Sequence, residues 1–422
     1  MTGLFFAWLL VHPKPQFHDN GSATMQIDLL NPDTFAHGHP LAQYQWLRDN
    51  DPVHWHDEPN GTGFWALTRF EDVAECGRQP LIYSSEPTIM ITDPETGIDV
   101  SGGDHKMLLM MDPPQHTLLR KTISREFTRG PAAELRPRIS ELAATIVNNI
   151  VDRGECDFVA QVAGELPSYV IAELMGIPID DGRDLYKLTE ILHSAPAAVA
   201  DGAQADAVTQ MFAYAQAVYR DKKARPRDDL ASQIVHAEVD GRSLDEIDFQ
   251  LFFMLLIDAG GDTTRNLVAG GLYQLIQNPL ALNDWQQHRS EALDHSARDE
   301  LLRVVSPVIY MRRTLKKEVQ LHGKTLQAGD KVVRYFGAAN FDNRRFTTPS
   351  KLNLHRDANA QIAFGTGAHV CLGQHIARIE IDCMFHEVLT RMKDFHLLEK
   401  PVWLESNFIS GIKQMPLQFQ KS

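Results

Sequence analysis

Phe364-Gly-Thr-Gly-Ala-His-Val-Cys-Leu-Gly373 sets one cysteine among three glycines, a phenylalanine and a histidine, directly before a segment that reads as a helix. Glycines at 365, 367 and 373 let backbone amides turn toward the Cys371 sulfur. A helix starting near Leu372 aims its positive end at the same atom. Such surroundings lower a thiol pKa and suit a thiolate that binds a metal. Cys383, on the apolar helix that follows, reads instead as an inert core thiol.

The rest of the chain limits what that sulfur can be doing. With 422 residues and 43% hydrophobic content, the protein can bury a large core. A formal net charge of −14 disfavours general attraction to nucleic acid or anionic lipid and points to a small-molecule partner. Cys76, Cys156, Cys371 and Cys383 are widely spaced, with no C-x-x-C pair. Neither a disulfide framework nor a zinc ribbon fits, and a reducing, cytoplasmic setting is expected. The apolar run at residues 3–11 is too short to span a bilayer and is followed by Pro13 and Pro15. Residues 1–24 are therefore expected to be a disordered extension, with Met25 an equally good start, and 25–422 to form one domain without a membrane span.

The chain reads as mainly α with a smaller β portion. Residues 54–56 and 63–68 alternate like paired strands joined through Asn60-Gly61. A loop rich in proline, glycine and aspartate covers 87–104. Helical patterns follow at 133–152, 166–175, 206–220 and 244–278, with β-like returns at 318–333 and 408–419. The last of these helices is the most informative. Ser243-Leu-Asp-Glu246 reads as its capping box, and no proline interrupts it before Pro279, giving about 50 Å of helix at 1.5 Å per residue. Its first half is apolar nearly all round, as in a buried helix. At its centre, Gly260-Gly261-Asp262-Thr263-Thr264 puts two glycines, an acid and two hydroxyls where a core helix wants leucine, each glycine costing about 1 kcal/mol relative to alanine.

Taken together, these segments resemble the cytochrome P450 family of haem-thiolate monooxygenases over residues 30 to 420. Phe364, Gly365, Gly367, His369, Cys371 and Gly373 fill every fixed position of the family's F-G-x-G-x-H-x-C-x-G signature. The resemblance implies the family's fold, with the long central helix over a haem b, and Cys371 as axial thiolate ligand of its iron, where a thiolate favours O–O cleavage. It implies that Phe364 packs beside the sulfur. The haem propionates would meet His369, His116 and Arg120 in Asp112-Pro-Pro-Gln-His-Thr-Leu-Leu-Arg120, and Arg313, for which Arg312 is the competing neighbour. Glu300-Leu-Leu-Arg303 matches the family's E-x-x-R, implying a buried ion pair joined by Arg356. Asp262 and Thr263 match the acid–alcohol pair that supplies protons to bound O2, the co-substrate.

Ala339-Asn-Phe-Asp342, Thr264-Arg-Asn266 and Asn407–Lys413 resemble the bacterial branch that oxidises sterol side chains, methyl-branched lipids and terpenoids. A hydrophobic substrate is expected against Phe253, Ile257 and Asp258 of the long helix, Val305, Val308 and Ile309, and the loop 87–107. No flavin, nicotinamide or iron–sulfur motif is present, so electrons are expected from a ferredoxin and its reductase. Arg125, Arg129 and Arg378 are candidates for a local basic docking patch. A peroxide-using peroxygenase and a haem-based gas or redox sensor are the alternatives; both typically lack the acid–alcohol pair.

Overall fold

The structure, a computed structural model, describes residues 25–93, 105–194 and 199–422. The extension at 1–24 and most of the expected loop at 87–104 lie outside the described residues. Among the described residues, no single helix is long and apolar enough to cross a membrane.

The central helix runs from Glu246 to Gln277, 32 residues, or about 48 Å. Its cap differs from the expected one. Asp245, not Ser243, accepts from the amides of Ile247 and Asp248, and Asp248 answers by accepting from the Asp245 amide. Ser243 sits in a two-residue strand paired with Glu238–Val239. Asp at N-cap with Asp at N3 closes the same reciprocal pair of bonds as Ser with Glu, so the sequence offered two boxes two residues apart.

The helix can lie close to its neighbours where glycines remove side chains. A Cβ on Gly271 would meet Phe385 at 3.0 Å and Leu301 at 3.1 Å. That contact brings together the helices Glu291–Val305 and Gln374–Arg391, which flank it. On the other side lie Glu165–Met175, Ile179–His193 and Ala203–Ala224. The helical pattern at 133–152 is split into Arg129–Glu134 and Arg136–Val151, as Pro137 begins a new first turn.

Strand Val53–His56 pairs antiparallel with Phe64–Leu67, as the alternation predicts, with Trp55 opposite Trp65. The pair extends through Lys331–Tyr335 and Tyr310–Leu315 to Tyr83–Ser84, forming a five-stranded sheet. Its register sets Arg313 opposite Val332 and Arg312 opposite Val333. Adjacent strand residues face opposite sides, so the two arginines must part. The C-terminal return forms Ile412–Gln414 and Pro416–Lys421, the latter between Met392–Leu397 and Glu155–Asp157.

Candidate active site

Cys371 lies at the end of a tight loop. Its amide donates to the Phe364 carbonyl at 2.8 Å, folding the loop back on itself. The amides of Gly373 and Gln374 point at the sulfur, with Gly373 capping the helix Gln374–Arg391. Burial nevertheless raises the thiol pKa, outweighing those amides and the charges of Arg120 and Arg378. The expected net lowering is therefore not what the polypeptide alone provides. The cradle is built for an anionic sulfur, but a cation must displace the proton.

The signature glycines have different reasons. Gly367 has a φ of +76°, and a Cβ there would sit 1.9 Å from the Gly77 carbonyl oxygen. Gly373 has an ordinary φ of −79°, and its Cβ would meet nothing within 4 Å; its amide points at the sulfur as expected, but in a conformation that any residue can adopt. Gly367→Ala should therefore cost well over the ~1–2 kcal/mol of a left-handed residue. The yield of folded, haem-loaded protein, read from the Soret absorbance per chain, should drop sharply, while Gly373→Ala should leave the fold's melting temperature nearly unchanged.

A cavity opens between this loop and the central helix. Cys371, Phe364, Gly365 and His369 line one wall; Ala259, Gly260, Thr263 and Thr264 line another; His116, Arg120 and Arg313 reach it from the sides. Among the described residues, neither arginine has a carboxylate partner. Arg120 Nη2 donates to the Val370 carbonyl and Arg313 Nη1 to its neighbour's carbonyl, both at 2.7 Å. His116 Nδ1 is buried without a partner. Its ring lies against that of His369, centroids 3.9 Å apart and planes tilted by 35°. Burial, then Arg120 and Arg313, push the His116 pKa down to about 4. Burial, then Arg313 and His116, push that of His369 to about 2. So many donors converging without an anion are electrostatically incomplete, and a planar group carrying carboxylates beside a metal fits them. Arg312 takes no part: its Nη1 reaches Asp93 at 2.5 Å on the other side of the strand. His369 Nε2 contacts the Met111 carbonyl at 3.0 Å and Ser85 Oγ at 3.1 Å, leaving Nδ1 as the ring nitrogen available to the cavity.

Thr263 Oγ1 donates to the Ala259 carbonyl at 2.9 Å, inside the cavity wall. Asp262 is different. One residue along a helix is a turn of about 100°, and its fully buried carboxylate faces the helix Ile179–His193. There His193 Nδ1 lies at 2.8 Å and Tyr186 Oη at 3.4 Å, with Arg265 Nη2 at 3.4 Å. The acid and the alcohol thus occupy adjacent faces, and only the alcohol borders the cavity. Sequence reasoning missed Glu380, which also lines the cavity and is hydrogen-bonded to Thr264, its pKa raised to about 8 by burial. An acid inside an otherwise apolar helix pattern was the available signal.

Of the residues expected against a substrate, Val308 lines the cavity. Five do not. Phe253 packs between Tyr214 and Phe249, Ile257 and Val305 are in the core, and Ile309 is buried under the sheet. Asp258 lies i, i+4 from Asp262, on the same outward face, and meets His193 Nε2 at 3.1 Å. The apolar wall is made instead by Leu108, Leu109, Val170, Ile171, Leu255, Leu256 and Met311, from several helices and one strand.

Below the site, Arg303 donates to Glu300 through Nε at 2.7 Å and Nη2 at 2.8 Å, with both residues fully buried. Arg356 Nε lies 3.0 Å from Glu300 but off the hydrogen-bond direction; its two Nη groups serve the carbonyls of Thr347, Thr348 and Lys351. The three expected partners do meet.

A family model described as Cytochrome P450 matches residues 184–401. A steroid C26-monooxygenase of Rhodococcus jostii is 32% identical over 406 residues, covering 93% of this chain and 85% of that protein. A methyl-branched lipid omega-hydroxylase of Mycobacterium tuberculosis is 37% identical over 365 residues, covering 85% and 84%. Among solved structures, a Mycobacterium marinum cytochrome P450 in complex with pseudoionone superposes with a TM-score of 0.86 at 31% identity, covering 94% of this chain and 99% of that one. With relatives of this identity along nearly the whole chain, the likeness carried by Phe364–Gly373 becomes membership: the chain belongs to the cytochrome P450 family.

Proposed function

We propose that this monooxygenase hydroxylates a steroid or a methyl-branched lipid, using electrons from a ferredoxin and its reductase. The observation that carries the reading is the meeting, on one apolar cavity, of a cysteine sulfur cradled by amides, an uncompensated cluster of cationic and imidazole groups, and the Thr263 hydroxyl. The relatives named for steroid and branched-lipid oxidation support the substrate class. The stretches that resemble that branch carry less weight. Asn340 and Asn407 hold backbone at 2.9 and 2.7 Å, and Arg265 and Asn266 are buried away from the cavity, so these matches belong mostly to the scaffold.

Haem b, when bound, supplies the iron on which O2 is activated. In this reading Cys371 ligates that iron, Phe364 shields the sulfur from water, and His116, Arg120, Arg313 and His369 hold the propionates. Thr263 holds a proton at its hydroxyl, and Asp262 resupplies it by swinging from the outer face of the helix. Residues 25–422 act as one catalytic unit in the cytoplasm, where the four free cysteines would stay reduced. Arg125 and Arg129, both exposed, offer the ferredoxin a basic edge. Arg378 does not extend that edge freely, since its guanidinium stacks 4.5 Å from the centre of the Phe364 ring and leans on Asp299.

Two measurements test the reading. The reduced, carbon monoxide-treated protein should show the strongly red-shifted Soret band of thiolate ligation and lose it in Cys371→Ser; an unshifted band in the native protein would refute the ligand. Titration with cholesterol, phytanic acid, pseudoionone and palmitic acid should give a spin-state change with cholesterol or phytanic acid. Binding of palmitic acid alone would remove the proposed substrate class.

A further inference from the structure

The helix Ile179–His193 packs on a face of the central helix that does not border the cavity, and its last residue inserts an imidazole between two acids of the central helix. His193 Nδ1 is 2.8 Å from Asp262 and Nε2 is 3.1 Å from Asp258. The inner acid is fully buried, the histidine side chain 10% exposed and the outer acid 31% exposed. The three groups therefore form a graded line from solvent to the residue beside Thr263. Other charged groups nearby are arranged around this line. From the same helix Tyr186 touches Asp262, and Glu190 pairs with Arg265 at 3.2 Å. Arg265 lies 3.4 Å from Asp262, while Lys413 and Asp157 act on Glu190 from farther off, and the Phe408 ring stands 6.1 Å from the imidazole.

We propose that His193 is the positioning and relay residue that connects Asp262 to solvent, with Asp258 as the outer end of the path. The inference rests on the proton-supply role given above to Asp262 and Thr263. Both ring nitrogens face carboxylates, so the site favours the doubly protonated ring, which donates to Asp262 and pairs by charge with Asp258, whose Oδ1 lies off the hydrogen-bond direction. In the relay step the Nδ1–H bond breaks as an O–H bond forms on Asp262 Oδ2. The electron pair stays on Nδ1, and the ring is left neutral with its proton on Nε2. A neutral Asp262 is released from its ion pair and can turn its carboxyl toward Thr263. Since the inner nitrogen gave up the proton, the ring regains one from water by turning about its Cβ–Cγ bond at the edge that Asp258 marks.

A purely structural ion pair would hold two helices together without carrying protons, and three variants separate the two roles. His193→Gln keeps a hydrogen-bonding side chain but cannot relay a proton, Asp258→Asn removes only the outer acid, and Thr263→Ala serves as the reference. All are measured as the full-chain, haem-loaded protein with a ferredoxin system and cholesterol as the probe, or phytanic acid if cholesterol gives no spin-state change. In His193→Gln we expect product formation at neutral pH to fall about tenfold or more, a larger solvent deuterium isotope effect, and an unchanged spin-state titration. Asp258→Asn should show the same changes to a smaller degree.

A readout independent of turnover accompanies these. Burial opposes the charged ring, but Asp258 and Asp262 push its pKa well above the usual histidine value. Such a group stabilises the fold fully below the unfolded pKa of about 6.5 and loses that contribution as pH rises through the folded value. The melting-temperature gap between native protein and His193→Gln should therefore be widest in mildly acid buffer and narrow in alkaline buffer. Native turnover and isotope effect in His193→Gln, with Thr263→Ala still impaired, would overturn the relay and leave the oxygen-site reading standing. Native behaviour in Thr263→Ala as well would sink the underlying reading instead. If His193→Gln does not fold, Asp258→Asn decides: turnover and isotope effect equal to native overturn the proposal.

Discussion

Glu300→Ala should abolish stable haem retention. The substitution removes the only carboxylate that, among the described residues, pairs with Arg303 and Arg356, leaving the Arg303 guanidinium fully buried and uncompensated. Breaking a buried ion pair from one side costs about 3–5 kcal/mol, a large share of the ~5–15 kcal/mol that separates native from unfolded protein. The damage would not stay local. Glu300 also accepts from the Asn353 amide at 3.0 Å, and Arg303 donates to the Asn340 carbonyl at 2.8 Å. Asn340 in turn accepts from the Ile362 amide, and the Ile362 carbonyl accepts from the Gly365 amide, both at 2.9 Å. Three links thus run from Arg303 to the loop that carries Cys371. The expected result is a guanidinium chloride midpoint far below that of the native protein and little thiolate-type carbon monoxide spectrum per chain. Arg303→Lys should be almost as damaging, because a single ammonium cannot reproduce the two-pronged contact with Glu300. A Glu300→Ala protein with native midpoint and haem content would show that the pair is dispensable.

The parts of the site that follow from local chemistry were legible in the sequence, and those that depend on which way a helix face turns were not. Phe364–Gly373 carries its own explanation, because turn glycines, a helix start and a cysteine are contiguous. Arg313 was separable from Arg312 by motif, and the strand's alternation gives the physical reason. The long helix was visible from its period and its lack of proline, although two overlapping acid and hydroxyl caps blurred its first turn. By contrast, Phe253, Ile257 and Asp258 were expected against a substrate from their place on the long helix and the apolar bias of the set. Where each faces depends on the packing of Ile179–His193 and Ala203–Ala224 against the central helix. The first of these was not expected as a helix. Its opening turns, Ile-Asp-Asp-Gly-Arg-Asp, are polar and carry Gly182, which the structure uses for close approach: a Cβ there would lie 2.7 Å from the Ser168 carbonyl. His193, at its end, had no motif to announce it. A histidine between two acids of another helix is a tertiary fact.

Thr263→Ala should divert reducing equivalents from product into hydrogen peroxide. Alanine is the best helix former, and the substitution takes away the hydroxyl that donates to the Ala259 carbonyl together with one methyl group, so the central helix and the Cys371 wall should be unchanged. Spin-state titration and the carbon monoxide spectrum should match the native protein. What is lost is the hydroxyl hydrogen that Thr263 holds at the cavity wall beside Ala259 and Gly260, the proton that this chain would supply to the oxygen chemistry of a bound haem. Product per reducing equivalent should fall about tenfold or more, with reductant consumption sustained and peroxide rising to balance it. Asp262→Asn should behave differently, because the carboxylate faces outward to His193, Tyr186 and Arg265, not into the cavity. An amide cannot take up the proton that His193 offers, so the supply fails one step earlier and the whole cycle should slow, reductant consumption included. The two phenotypes are read from product, peroxide and reductant measured in one reaction. A shared slow phenotype would make Thr263 a mere extension of the acid, whereas native coupling in Thr263→Ala would reopen the peroxygenase and sensor alternatives. Peroxide rising in Thr263→Ala but not in Asp262→Asn is the outcome that the two helix faces require.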